Sequence, residues 1–121
     1  MGATKQIPRS DWQRYFDELT KRHLHGDPPK AASIELVSLE LGDQPEATLV
    51  RLTDLDYDPK SEALEVMLED VDHLVFHPAE IWVVEEEDGF ISALAVVHTD
   101  GSKEIMRVQV SGLPAPIYRP V

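Results

Sequence analysis

The chain of 121 residues is long enough for one domain with a buried core. It carries 23 acidic and 11 basic residues, for a net charge of −12, and it has no cysteine. This acidic balance argues against nucleic-acid and membrane partners, and the lack of cysteine excludes disulfides and thiolate chemistry. No apolar run approaches the ~20 residues that cross a bilayer, so we expect a cytoplasmic protein.

One helix is predicted near the start of the chain, over residues 10–24, after a loose arm at residues 1–9. The side chains that recur at helical spacing are Trp12, Phe16, Leu19 and His23. Ser10 and Gln13 have the spacing of a capping box, in which the two side chains satisfy free amides at a helix start. Gly26 stands where a glycine commonly ends a helix.

Beyond residue 30 the hydrophobic period changes from 3.6 to 2, which indicates β-strands. Six strands are expected, at residues 33–41, 47–57, 64–69, 80–87, 90–98 and 103–110. Turns separate them, with Asp88-Gly89 as the strongest hairpin signal and Gly42 to Pro45 as another. Residues 69–78 are interpreted as a loop with at most one helical turn. The tail at 112–121 contains three prolines and should be extended.

These elements predict a single α+β domain over residues 1–121. The N-terminal helix should pack on a curved six-stranded antiparallel meander or a small open barrel.

Three stretches resemble a small bacterial family known only as a domain of unknown function. They are Ile7-Pro8-Arg9 with Trp12 and Phe16-Asp17, then Tyr57-Asp58-Pro59-Lys60, then Asp72-His73-Leu74-Val75-Phe76-His77-Pro78-Ala79-Glu80-Ile81. The resemblance covers roughly residues 5–110 and rests most on the D-H-L-x-x-H-P segment. It implies a bacterial, cytoplasmic, single-domain protein, and it carries no activity.

The candidate site residues are Asp72, His73 and His77, which share one polar segment. Two histidines four residues apart would share a helix face, as a metal site requires, with Asp72, Glu80 and His98 as further possible ligands. Pro78 disfavours a regular helix through His77, and the H-E-x-x-H glutamate is missing. No metal and no cofactor is therefore predicted, since the chain also lacks a glycine-rich phosphate loop.

Two interpretations of function follow. The favoured one is a non-catalytic domain that acts by contact with a protein partner, because no catalytic constellation is visible. The alternative is a small enzyme or ligand-binding barrel with its site at Asp72, His73 and His77. A homodimer is also expected, because the strand at 103–110 should be a weakly guarded sheet edge and the tail after Gly112 could cross to a second copy.

Overall fold

The computed structural model describes residues 2–25, 30–38, 42–69 and 71–110. One helix and eight strands are present among them. Their bounds are β1 (Ala3–Ile7), a 3-10 turn (Arg9–Asp11), α1 (Trp12–His23), β2 (Lys30–Ser38), β3 (Gly42–Asp58), β4 (Ala63–Leu68), β5 (Asp72–Phe76), β6 (Glu80–Glu85), β7 (Ile91–Val97) and β8 (Lys103–Val110). The helix stop predicted at Gly26 and the tail at 112–121 lie outside the described residues.

All eight strands belong to one antiparallel sheet with the order β1-β6-β7-β8-β2-β3-β4-β5. It consists of two meanders, β2 to β5 and β6 to β8, joined where β8 pairs with β2. The prediction of an antiparallel sheet with one helix is confirmed, but the number of strands and the single meander are wrong. Within the described part of the chain β1 and β5 do not pair, so the sheet is not closed.

Sequence analysis missed two strands, both at the edges of the sheet. In β1, assigned to the loose arm, only Ile7 is buried, so no apolar alternation is visible. In β5, assigned to a loop, Leu74 and Phe76 are exposed while His73 takes an inward position. Neither strand shows the apolar–polar alternation that identifies a half-buried strand, because β1 buries one side chain and β5 carries apolar residues on its exposed phase.

Two further expectations about the strands are wrong. The turn expected at Gly42 to Pro45 lies inside β3, where Gly42 pairs with Ser38 and Pro45 pairs with Glu35. The strand at 103–110 is not an edge, because β8 pairs with β7 on one side and with β2 on the other. The premise for dimerisation through that strand is therefore removed.

Of the predicted stripe of α1, Trp12, Phe16 and Leu19 are buried and His23 is half-buried, and Thr20 is buried as well. The capping box is wrong, because the helix follows a 3-10 turn and its N-cap, Asp11, has no side-chain capping bond. The pairing of β3 with β2 ends at Leu52, which lies opposite Lys30, the first residue of β2. The residues of β3 after Leu52 therefore extend past the end of β2. There Thr20 Oγ1 donates to the Leu55 carbonyl (2.6 Å) and accepts from its amide (3.0 Å), so the helix replaces a missing strand.

The sheet is strongly coiled. Only His77, Pro78 and Ala79 connect β5, at one edge, to β6, next to the other edge. Such a short connection requires the two edges to approach each other. None of the described helices has the length and apolar character required to span a membrane.

Candidate functional site

The strand β5 has an open edge. Among the described residues it pairs only with β4, in a register that sets Leu64 opposite Val75 and Val66 opposite His73. The Leu68 amide bonds the Val71 carbonyl (3.0 Å) at one end of this ladder, and the His77 amide bonds the Glu62 carbonyl (2.7 Å) at the other. Because hydrogen-bonded and non-bonded pairs alternate in an antiparallel ladder, the amides and carbonyls of Asp72, Leu74 and Phe76 face away from β4.

Exposed apolar side chains are concentrated on the same strand. Among the described residues the large hydrophobic side chains classed as exposed are Val71, Leu74 and Phe76, at 55%, 44% and 50%. Single exposed apolar side chains are ordinary on a protein surface, but Leu74 and Phe76 share one face of β5 beside its open edge, which indicates a contact site.

The opposite face of β5 holds an imidazole–carboxylate cluster, which we define as His73, His98 and Glu104. His73 Nε2 lies 2.6 Å from Glu104 Oε1, and His98 Nε2 lies 2.9 Å from Glu104 Oε2. The side chains are 23%, 22% and 14% exposed, respectively. Glu104 is on the inward phase of β8, since its neighbour across the ladder, Val96, is buried.

The cluster spans the interior of the sheet. In sheet order β5 and β8 are four strand spacings apart, which is about 19 Å in a flat sheet. The 2.6 Å contact between His73 and Glu104 is therefore possible only because the sheet coils. The bond ties the open edge strand to the middle of the sheet.

Glu104 is ionised in this cluster. Burial acts to raise the pKa of its carboxyl, but the hydrogen bonds and charges of His73 and His98 outweigh burial and lower the pKa below its usual value. An ionised carboxylate only accepts hydrogen bonds, so each imidazole donates from a protonated Nε2.

On the outer face of the sheet, carboxylates surround the exposed side chains of β5. Three rows of facing residues run across β3, β4 and β5: Asp54–Met67–Asp72, Asp56–Glu65–Leu74 and Asp58–Ala63–Phe76. We name these nine residues the acidic face, because five are acidic and none is Lys or Arg. His25 lies 2.7 Å from Asp54.

Two carboxylates of the acidic face are electrostatically strained. Asp56 and Glu65 are directly opposite each other in the β3–β4 ladder. Burial raises the pKa of Glu65, and the negative charges of Asp56, Asp58 and Asp72 raise it further. The pKa of Asp56 is raised by burial and by neighbouring carboxylates, of which Asp17 on α1 contributes most. Like charges at facing positions destabilise a sheet.

Glu65→Gln should therefore stabilise the protein. Removing one charge of a directly facing pair is expected to raise the free energy of unfolding by about 0.5 kcal/mol at pH 7 and low salt. The gain should shrink as salt screens the repulsion. Urea unfolding at low and high ionic strength measures it, and a loss of stability at low salt would contradict this account.

The structure does not bring the three predicted site residues together. His73 lies on the inner face of β5, whereas Asp72 alternates to the outer face and belongs to the acidic face. His77 follows the strand with a positive φ of 55°, is exposed, and lies 3.1 Å from Glu62 through its Nδ1. Of the further possible ligands Glu80 and His98, only His98 approaches His73, through the carboxylate of Glu104 that both histidines contact.

Glu104 was missed as a site residue. The sequence does contain a sign of this role, because Glu104 alternates onto the same face of β8 as Met106 and Val108, which are both buried. A charged residue on an inward phase needs a partner, so this position indicates a buried ion pair or hydrogen bond. Within the described parts of the chain, no group of three or more His, Asp and Glu side chains is arranged to hold a metal ion.

The fold and site together define a small α+β domain with an open antiparallel sheet and an exposed edge strand. Over residues 3–114 the chain matches the model of a family described as a family of unknown function (DUF5335), and it belongs to that family. It is 41% identical over 115 residues to an uncharacterized protein of Aquifex aeolicus (strain VF5), covering 94% of this chain and 98% of the relative. No solved structure matches it. The resemblance to a family of unknown function is thus confirmed.

Proposed function

We propose that this protein is a non-catalytic interaction domain that binds an extended segment of a partner protein along the open edge of β5. The observation that carries the proposal is that, among the described residues, the outer edge of β5 pairs with no other strand and lies beside the exposed side chains of Leu74 and Phe76. A bound segment would continue the ladder as a further strand, with main-chain hydrogen bonds supplying affinity and side chains supplying selectivity.

The other open edge is a poorer docking site. In β1 the four residues from Ala3 to Gln6 are exposed and include Lys5, a residue type that guards natural edges against pairing. None of the exposed large apolar side chains of the described residues lies there. Selective binding therefore favours β5.

The occupant is a different protein rather than a second copy or the chain's own tail. Two copies paired through β5 would set two acidic faces side by side, at a net charge of −12 each. Residues 111–121 contain three prolines, which have no amide to donate to the ladder. A partner segment that carries neither the negative charge of a second copy nor the prolines of the tail fits the edge of β5 better.

The imidazole–carboxylate cluster supports this role by holding β5 in place. An edge strand has backbone bonds on one side only, so it loses order easily. The bond from His73 to Glu104 adds a tie on the inner face and leaves the open edge accessible. A preordered strand loses less conformational entropy on binding.

A test uses a capped peptide of alternating threonine and valine, titrated into the isotope-labelled full chain. We expect chemical-shift changes and slower hydrogen exchange at the amides of Leu74 and Phe76. The variant Leu74→Pro should abolish binding, because it removes an amide that faces the open edge. The β4 ladder should survive, since its bonds come from His73 and Val75.

The matched control is Leu74→Ala, which removes the exposed side chain and keeps the amide. It should weaken binding without abolishing it. Undiminished binding by Leu74→Pro, or shift changes confined to β1, would refute the proposal. Light scattering and a variant lacking residues 112–121 test the other occupants. A dimer lost in Leu74→Pro would identify a second copy, and tighter peptide binding after the deletion would identify the tail.

A further inference from the structure

Resting on the proposed function, we infer that the partner segment is basic, with lysine or arginine on the side chains that lie over the acidic face. The acidic face borders the open edge directly, through Asp72, and continues one strand inward at Glu65. Charge complementarity of this kind steers encounter and selects partners more than it adds raw affinity.

The positions of the acidic side chains determine which residue types the bound segment should carry opposite each residue of β5. Neighbouring strands lie about 4.8 Å apart, so a residue added opposite Asp72 meets its carboxylate within one spacing. A residue added opposite Leu74 is about 10 Å from the backbone of Glu65, by the same spacing. A long basic side chain crosses that distance with its methylene groups over Leu74 and its charge at Glu65. Opposite Phe76 an apolar side chain fits best, because that side chain is half exposed.

The acidic face is only partly neutralised by its own surroundings. His25 lies 2.7 Å from Asp54, and the Lys60 amide and Ser61 hydroxyl donate to Asp58, but Asp56 and Glu65 face each other. Elsewhere the molecule pairs its acids with cations, as Asp17 with Lys21, Glu18 with Arg22, and Glu85 with Lys5. Retaining repulsion beside an open edge is the arrangement expected where a basic ligand relieves it.

Three capped peptides of equal length test the inference, with valine alternating with lysine, threonine or glutamate. At low salt the lysine peptide should bind on the order of fivefold more tightly than the threonine peptide, from two exposed charge contacts. The glutamate peptide should bind more weakly than either. The preference for lysine should fall as ionic strength rises.

Variants then locate the preference. Asp72→Asn and Glu65→Gln should each lower the ratio of lysine-peptide affinity to threonine-peptide affinity. Glu18→Gln makes the same change in net charge on α1, outside the acidic face, and should leave the preference intact. Equal binding of the lysine and threonine peptides, or an equal effect of Glu18→Gln, would overturn the inference but not the proposed function. Failure of all three peptides to bind would overturn the proposed function itself.

Discussion

Phe16→Ala is expected to lower the free energy of unfolding by about 3–5 kcal/mol, the range for deleting a fully buried aromatic ring. Phe16 is 0% exposed and packs edge-on against Tyr15, with ring centroids 5.2 Å apart. It lies on the helix that completes β3, so the cavity would weaken both elements. Since whole domains are stable by only about 5–15 kcal/mol, thermal or urea unfolding should detect the change readily.

Two controls separate packing from helix formation. Gln13→Ala changes an exposed position on the same helix and should alter stability by less than about 0.5 kcal/mol. Phe16→Leu retains most of the buried volume and should cost less than the alanine variant. A loss below about 1 kcal/mol for Phe16→Ala would show that the helix is not docked as described.

Sequence reasoning found the elements in which burial of one face produces a regular spacing of apolar residues along the chain. The apolar stripe of α1 and the apolar–polar alternation of β4 are both visible in the sequence, because each element buries one face. The turns at Gly89 and Gly101 are also readable, since both glycines adopt positive φ values near 90°. Local physics decides each of these features.

The candidate site was only partly predictable, because it depends on contacts between distant elements. His73 was identified as a polar residue in a segment of interest, but its partner Glu104 is 31 residues away. Strand β5 itself was interpreted as a loop, since its exposed side chains are apolar and its inward position holds a histidine. Tertiary contacts across the coiled sheet make that inward histidine favourable, and no local pattern reports them.

The acidic face, too, could be predicted only in part from the sequence. Asp54, Asp56 and Asp58 are visible in the sequence as an alternating run, but their alignment with Glu65 and Asp72 requires the register of three strands. A bulge between Leu52 and Asp54 shifts that register by one residue. Since a one-residue shift moves side chains to the other face, the face could not be assigned from sequence alone.

Glu104→Ala is expected to destabilise the protein by about 2–4 kcal/mol, because it removes the acceptor for two charge-assisted hydrogen bonds. The effect has the opposite sign to that of Glu65→Gln, although both positions are glutamates in strands. Glu104 faces inward between two imidazoles, whereas Glu65 faces another carboxylate. Partial exposure of the two histidines lets water compensate in part, so the loss should stay below that of a dry network.

A double-mutant cycle with His73→Ala isolates the tie between β5 and β8. If the bond contributes as described, the two substitutions together should cost less than the sum of the single effects, by about 1 kcal/mol. Hydrogen exchange at the amides of His73 and Val75, which face β4, should accelerate in either variant as the edge strand loosens. Additive effects would show that His73 and Glu104 do not interact in solution.

The pH dependence of the Glu104 effect follows from the direction of its pKa shift. Because the folded state lowers the pKa of Glu104, its carboxylate contributes stability that is fully present above the unfolded value of about 4.3. That contribution is lost as pH falls through the lower, folded value. The stability difference between wild type and Glu104→Ala should therefore shrink as pH falls below about 4. Urea unfolding across this range measures the difference, and a gap that widens below that pH would mean that Glu104 is not held as an anion by its two histidines.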